Sequence, residues 1–108
     1  MAETDEPIVG VLIKDPNTSG QEIILVLHDS SLSVGRLPDN DIYLPDRTVR
    51  RRHCRLEVEQ RQIYLVTDYP NMWLLLNGKP VPYGERCRLK FGDMITIGRS
   101  VFHLEQSK

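Results

Sequence analysis

Short apolar runs separated by turn-forming residues make up most of the chain. In the segment His53–Glu59, Cys54, Leu56 and Val58 alternate with charged residues. Alternation with a period of two is the pattern of a strand that buries one face. The Asn77-Gly78 pair favours the positive backbone angles of a tight hairpin turn. Because no window combines a helical period with a cap and a stop signal, the pattern predicts strands throughout.

About ten or eleven runs have this strand character, and together they define the predicted architecture. They are Ile8–Ile13, Glu22–His28, Ser31–Gly35, Ile42–Leu44, His53–Glu59, Gln62–Thr67, Trp73–Leu76, Arg86–Leu89, Met94–Ile97 and Val101–Glu105. Many short strands at close spacing predict an all-β fold, an antiparallel β-sandwich or barrel. We expect one domain over residues 8–108, preceded by a flexible acidic tail over residues 1–7.

Composition and charge narrow the function classes. The chain has 108 residues, which suits one domain, and a net charge of -1, which disfavours a strongly basic nucleic-acid binder. The longest unbroken apolar runs have five residues, whereas a membrane-spanning helix needs roughly 20. The acidic, polar start lacks the features of a secretory signal. We therefore expect a cytoplasmic protein in which Cys54 and Cys87 are reduced thiols.

Positive charge is concentrated in one short segment. Between Arg47 and Arg55, five of nine residues are arginine, and most of them fall between two predicted strands. Arginine has a planar guanidinium group that holds a phosphate or carboxylate through two hydrogen bonds. A basic loop on a rigid β scaffold is therefore suited to binding an anion. Charge alone leaves a second interpretation open, that of a solvated surface turn.

The order of several motifs resembles the signature of the forkhead-associated (FHA) domain family over nearly the whole chain. These motifs are Val34-Gly35-Arg36, Asn40-Asp41-Ile42-Tyr43-Leu44, Val49-Arg50-Arg51-Arg52-His53, Asn77-Gly78 and Gly92-Asp93. They resemble a Gly-Arg pair, an N-D-I-x-L segment, a V-S-R-x-H loop, an Asn-Gly hairpin and a late Gly-Asp turn. Each motif alone is weak, but their order and spacing together are specific.

This resemblance implies an eleven-strand sandwich of the SMAD/FHA type whose loops at one end bind a phosphothreonine peptide. It implies contacts to the phosphopeptide from Arg36, Arg50 and Arg51, and to the peptide backbone from Asn71 and Asn77. It also implies that Gly35, His53 and Gly78 give structural support to the loops, with His53 as a strut. The expected partner is a protein segment that carries phosphothreonine, with no small-molecule substrate and no membrane.

The chain departs from the family pattern at two places. Arg50 stands where the family has a serine that donates to the phosphate. Either Arg50 reaches the phosphate itself, or it fills the pocket or pairs with Asp46 and blocks binding. The second departure follows Asp68, where Met72 and Trp73 replace polar or small residues.

These departures leave two alternatives to phosphothreonine binding. Trp73 either belongs to the core, as most strand tryptophans do, or forms with Met72 an apolar contact for a partner protein. In the second case the domain binds its partner, or itself, independently of phosphorylation. A more remote alternative is nucleic-acid binding through the Arg47–Arg55 cluster, against which the net charge and the 6% aromatic content argue.

Other chemistry has little support in the sequence. The three histidines and two cysteines show no Cys-x-x-Cys or His-x-x-x-His spacing, so no metal site is predicted. There is no phosphate-cradling P-loop, no nucleophile elbow and no evident pair of catalytic acids. We therefore expect a binding module that needs no cofactor and is not an enzyme.

Overall fold

A computed structural model describes residues 8–14, 22–27, 31–67, 69–70 and 73–106. These residues form eleven strands and contain no helix that is long and apolar enough to cross a membrane. The strands are β1 (Ile8–Lys14), β2 (Glu22–Leu27), β3 (Ser31–Gly35), β4 (Ile42–Tyr43), β5 (Cys54–Glu59), β6 (Gln62–Val66), β7 (Leu74–Leu76), β8 (Lys79–Pro80), β9 (Arg86–Leu89), β10 (Met94–Ile97) and β11 (Ser100–Gln106). The predicted tail over residues 1–7 lies outside the described residues.

The strands form two sheets that pack face to face, which confirms the predicted β-sandwich. One sheet has six strands in the order β2-β1-β11-β10-β7-β8, and the other has five in the order β4-β3-β5-β6-β9. Neighbouring strands are antiparallel except for β3 and β4, which pair in parallel. The sequence pattern missed β8, because a two-residue strand that contains Pro80 has no alternation to detect.

Local sequence explains the hairpins. β7 and β8 are joined by Asn77 and Gly78, whose φ angles of 52° and 85° are both positive, as a two-residue turn requires. β5 and β6 are joined by Gln60 and Arg61, which adopt the same left-handed conformation. The first turn was predicted from the sequence, because an Asn-Gly pair favours positive backbone angles.

The core lies between the two sheets and is built from the alternating positions. Cys54, Leu56 and Val58 of β5 are buried as the alternation predicted. Phe102 and Leu104 of β11 face them from the six-stranded sheet, and both are almost fully buried. This apolar layer holds the two sheets in a fixed arrangement and so fixes the loops at their ends.

Several loops meet at one end of the sandwich, which we call the loop end. It comprises residues 36–41, residues 44–53, Thr67, Tyr69, Trp73 and the Gly98-Arg99 turn. Backbone hydrogen bonds join these segments, from Arg36 N to Arg50 O at 2.9 Å and from Gly98 N to Trp73 O at 2.8 Å. The arginine-rich segment of the sequence therefore lies on a braced surface.

Candidate anion-binding site

An open groove of about 530 Å³ lies at the loop end and is lined mostly by arginine. Its lining residues are Arg36, Leu37, Arg50, Arg51, Arg52 and Tyr69. The structure therefore brings together the three arginines that the sequence singled out, although they come from two separate loops. Arg52 and Tyr69 join them, and neither was predicted as a site residue.

The guanidinium group of Arg36 is held by a backbone contact at Nε, while its two terminal nitrogens stay accessible. Its Nε donates to Val49 O at 3.0 Å, and the Arg36 side chain is exposed. Within the described residues, no hydrogen bond or ion pair occupies the two terminal nitrogens of this guanidinium. A group that is already oriented loses less conformational entropy when it binds an anion. Arg36 is therefore a preorganised donor at the edge of the groove.

Close packing between the two loops explains the glycine before Arg36. A Cβ atom at Gly35 would lie 2.1 Å from Arg51 O and 2.7 Å from Asn40 Nδ2. Asn40 occupies the same junction, where its Nδ2 donates to Arg51 O at 2.8 Å and to Leu37 O at 2.9 Å. Since only glycine permits this approach, Gly35 and Asn40 fix the position of Arg51.

His53 links the arginine loop to the start of β7. Its side chain is fully buried, Nδ1 accepts a hydrogen bond from Arg50 N at 3.0 Å, and Nε2 donates to Trp73 O at 3.2 Å. Burial lowers the pKa of His53, the hydrogen bond to Trp73 opposes this, and the charge of Arg50 lowers it further. A neutral ring protonated on Nε2 satisfies both contacts, so His53 acts as an uncharged strut.

The arginines of the groove differ in their partners. Arg52 Nη2 forms an ion pair with Asp39 Oδ2 at 2.8 Å, and Arg52 Nη1 donates to Asn40 Oδ1 at 3.2 Å. Arg50 and Arg51 are exposed, and no carboxylate among the described residues pairs with either. The groove therefore holds one neutralised cation and three cations that an external anion can reach.

The pairing of Arg50 with Asp46, one outcome considered from the sequence, is not formed. Asp46 Oδ1 instead accepts hydrogen bonds from Thr48 N and Thr48 Oγ1, both at 2.8 Å. This local turn engages the carboxylate within its own loop. Arg50 consequently keeps its charge directed to the surface.

Trp73 is not a core residue, which corrects one of the two interpretations of the sequence. Its side chain is 51% exposed, whereas the next residue, Leu74, is fully buried. Strand β7 begins only at Leu74, so the inward position falls on that residue. Tyr69 is 50% exposed in the neighbouring connection. The loop end thus presents two aromatic side chains beside its arginines.

The structure does not bring Asn77 to the groove. Asn77 lies at the opposite end of β7 from Trp73, and both polar atoms of its amide are engaged there. Nδ2 donates to Asp93 Oδ1 at 3.1 Å, and Oδ1 accepts from Met94 N at 2.9 Å. The predicted peptide contact is therefore wrong for Asn77, which ties the β7–β8 turn to β10. The predicted contacts Asn71 and Met72 lie outside the described residues.

Neither cysteine belongs to the groove. Cys54 is buried in the core, and burial raises the pKa of its thiol to about 12. Cys87 is partly buried on β9, where burial first and Glu85 second raise its pKa. Across the described ranges, no three histidine, cysteine or acidic side chains form a group that could hold a metal ion. The chemistry of this end of the molecule is that of guanidinium groups.

Comparison with known proteins gives one consistent family. A sequence model of the FHA domain matches residues 32–98 of this chain. The glycogen accumulation regulator GarA of Mycobacterium tuberculosis (strain H37Rv) is 32% identical over 89 residues, which cover 82% of this chain and 51% of that protein. The chain spans about half the length of the curated relatives it matches.

Two solved structures show the same fold at higher coverage. One, from a structural and functional analysis of phosphothreonine-dependent FHA domain interactions, has a TM-score of 0.76 at 26% identity and covers 93% of this chain and 98% of its own. The other is the FhaA FHA domain complexed with the intracellular domain of Rv3910. It has a TM-score of 0.73 at 27% identity and covers 89% of this chain and 99% of its own.

Proposed function

This chain belongs to the FHA domain family, and we propose that it binds phosphothreonine-containing protein segments through the arginine groove. The observation that carries the proposal is the convergence of Arg36, Arg50 and Arg51 on one groove without a carboxylate partner among the described residues. One solved relative comes from a study of phosphothreonine-dependent FHA domain interactions, which supports the same ligand here. A module that reads phosphorylation also fits a relative named as a regulator.

The energetics favour phosphate as the ligand. A phosphothreonine carries a charge of about -1.5 to -2 and three acceptor oxygens. Each charge-assisted hydrogen bond contributes roughly 1.5–3 kcal/mol, and a micromolar complex needs about 8 kcal/mol in total. Two guanidinium contacts would therefore supply a large share of the affinity. Because Arg50 has no described carboxylate partner, we infer that it replaces the family's serine as a phosphate ligand.

We propose that binding is the whole activity of this groove. Among the described residues that line it there is no histidine, cysteine or carboxylate, and these residues offer no nucleophile paired with a base. We also propose a cytoplasmic location, because Cys54 and Cys87 are free thiols, which such a compartment maintains.

The test is a titration of the domain with a degenerate phosphothreonine peptide library and with the same library unphosphorylated. We expect the wild type to bind only the phosphorylated library. Arg50→Ser, which restores the family's residue, should keep the same selectivity with altered affinity. If the wild type binds neither library but Arg50→Ser gains binding, Arg50 blocks the groove and its assigned role is wrong. If neither protein binds, phosphothreonine recognition itself is wrong.

The exposed aromatic residues favour one further candidate, a partner bound without phosphorylation. Tyr69 and Trp73 are each about half exposed beside the groove, and aromatic residues of this kind are enriched at binding hot spots. Such a complex would survive phosphatase treatment of the partner and would weaken in Trp73→Ala. A complex that disappears after phosphatase treatment would exclude this candidate.

A further inference from the structure

A second basic feature adjoins the groove, where the β4–β5 loop meets the β10–β11 turn. Arg99 N donates to Thr48 Oγ1 at 2.9 Å. The packing is close, because a Cβ atom at Gly98 would lie 2.5 Å from the same Thr48 oxygen. Arg47 precedes Thr48, and both Arg47 and Arg99 are exposed. We call this pair the Arg47/Arg99 corner.

The corner is continuous with the groove through Arg36. Val49, the residue after Thr48, offers its carbonyl to Arg36 Nε at 3.0 Å. A ligand that crosses the braced Arg36 side chain therefore leaves the groove toward Thr48 and its two flanking arginines.

The charge of this surface exceeds what one phosphate neutralises. Arg36, Arg47, Arg50, Arg51 and Arg99 are exposed and have no carboxylate partner among the described residues. Three described carboxylates lie in these loops, and each already accepts hydrogen bonds: Asp39 from Arg52, Asp41 from Ser33 and Asp46 from Thr48. Five positive charges face a phosphate of about -1.5 to -2. Asp41 and Asp46 accept these hydrogen bonds from uncharged groups and so keep their negative charges. After the phosphate is bound, a surplus of about one positive charge therefore remains for the rest of the ligand.

We propose that the Arg47/Arg99 corner is a second anion subsite that takes acidic residues, or a second phosphate, of the same phosphopeptide. The proposal rests on the proposed function, since the phosphothreonine in the groove positions the peptide. The ligand class is thus a phosphothreonine segment with further negative charge on one side, and the corner selects it by charge.

The experiment compares phosphothreonine peptides that differ only in their flanks. One peptide has three glutamates before the phosphothreonine, one has them after it, one has a second phosphothreonine, and a reference has glutamines. Each is titrated into the wild type, Arg47→Gln/Arg99→Gln and the charge-matched control Arg61→Gln/Arg88→Gln, whose residues lie on the β5–β6 turn and β9. We expect the wild type to bind at least one charged peptide about three- to tenfold tighter than the reference at low salt, which is the scale of two exposed charge pairs.

The corner variant should lose this preference while it binds the glutamine reference as the wild type does. The control should keep the preference.

A wild type that binds all phosphopeptides equally would overturn the subsite and leave the groove's function intact. A preference that survives in the corner variant would overturn it as well. Failure of every phosphopeptide to bind would instead reject the proposed function. Tighter binding of a mixed-sequence DNA oligonucleotide than of any peptide would show that the corner serves a nucleic acid, and would also overturn the proposal.

Discussion

Two groups of arginines in this molecule have different surroundings. On the outer face of the five-stranded sheet, Arg86 lies 3.3 Å from Glu57 Oε1 and 2.9 Å from Glu59 Oε1. Its guanidinium also stacks over the ring of Tyr64, with 4.0 Å to the centroid. Arg55 shares Glu57, at 3.0 Å. At the loop end, by contrast, Arg36, Arg50 and Arg51 have no carboxylate partner among the described residues.

The difference indicates how the two regions are used. On the sheet face, Arg55 and Arg86 form ion pairs with carboxylates of the fold, and such exposed ion pairs add little stability. At the loop end, backbone contacts hold the arginines in place while their terminal donors stay accessible. Arginine thus forms ion pairs within the fold in one region and is available to bind an external anion in the other. The presence of a nearby carboxylate, rather than arginine content, separates the two roles.

Gly35→Ala should break the loop end most strongly. The added Cβ would collide with Arg51 O and Asn40 Nδ2. We expect a loss of about 1–3 kcal/mol in the free energy of unfolding, as for other overpacked sites, and loss of phosphopeptide binding. Urea denaturation and calorimetric titration measure the two effects.

Gly78→Ala is the control, since its Cβ would meet nothing within 4 Å. It should cost stability through its positive φ but keep binding. Equal binding by both variants would contradict the account.

The comparison between loop-end and sheet-face arginines is tested directly by two substitutions, Arg36→Ala and Arg86→Ala. Removal of Arg36 deletes a charge-assisted contact of roughly 1.5–3 kcal/mol, so the phosphopeptide Kd should rise about 10- to 100-fold. Arg86→Ala removes the same charge from the sheet face and should leave the Kd unchanged. A comparable loss in both variants would show that net charge, and not the groove, determines binding.

His53 should make the stability of the loop end depend on pH. Because burial lowers its pKa in the folded state, the neutral ring stabilises the fold fully above the ordinary value of about 6.5. This contribution should be lost as the pH falls below that value toward the folded-state pKa. Denaturation curves at several pH values should show the decline in the wild type and a weaker one in His53→Gln. His103→Gln, on β11, should retain the wild-type dependence. An identical decline in His53→Gln would exclude His53 as its source.

The smallest expected effect concerns the one neutralised arginine of the groove. Asp39→Asn removes the carboxylate that pairs with Arg52, so a fourth cation becomes available to the phosphate. Both partners are largely exposed, and such pairs contribute up to about 1 kcal/mol. We therefore expect the phosphopeptide Kd to fall about two- to threefold, measured by titration. When Asp39→Asn is added to Arg52→Ala, the phosphopeptide Kd should not fall below that of Arg52→Ala alone. A Kd that rises in Asp39→Asn would contradict the distinction between paired and unpaired arginines.

The features that the sequence predicted are those that local patterns determine. The alternation around Leu56 fixes one face of β5, and the Asn77-Gly78 pair sets its turn without help from distant residues. The side chain of Asn77 was misjudged because its partners, Asp93 and Met94, lie at the start of β10, which is remote in sequence. The exposure of Trp73 depends on where β7 begins, which its pairing with β10 sets.

The sequence pattern also could not predict which arginine of the cluster pairs with a carboxylate. Five arginines in nine positions predicted an anion site but gave no means to distinguish Arg52 from Arg50. The distinction comes from Asp39, thirteen positions before Arg52, which the fold brings to 2.8 Å. The approach of Gly98 to Thr48, from which the Arg47/Arg99 corner follows, likewise exists only once the sheets have packed.

The central claim is that the phosphate binds at the carboxylate-free arginines of the loop end. An NMR titration of the ¹⁵N-labelled domain with a phosphothreonine peptide, and with the same peptide unphosphorylated, tests it most directly. The account predicts that the phosphorylated peptide alone shifts the amide signals of Arg36, Arg50 and Arg51, while those of Tyr64 and Arg86 stay in place. Shifts centred on Tyr64 and Arg86, or equal shifts with both peptides, would contradict it.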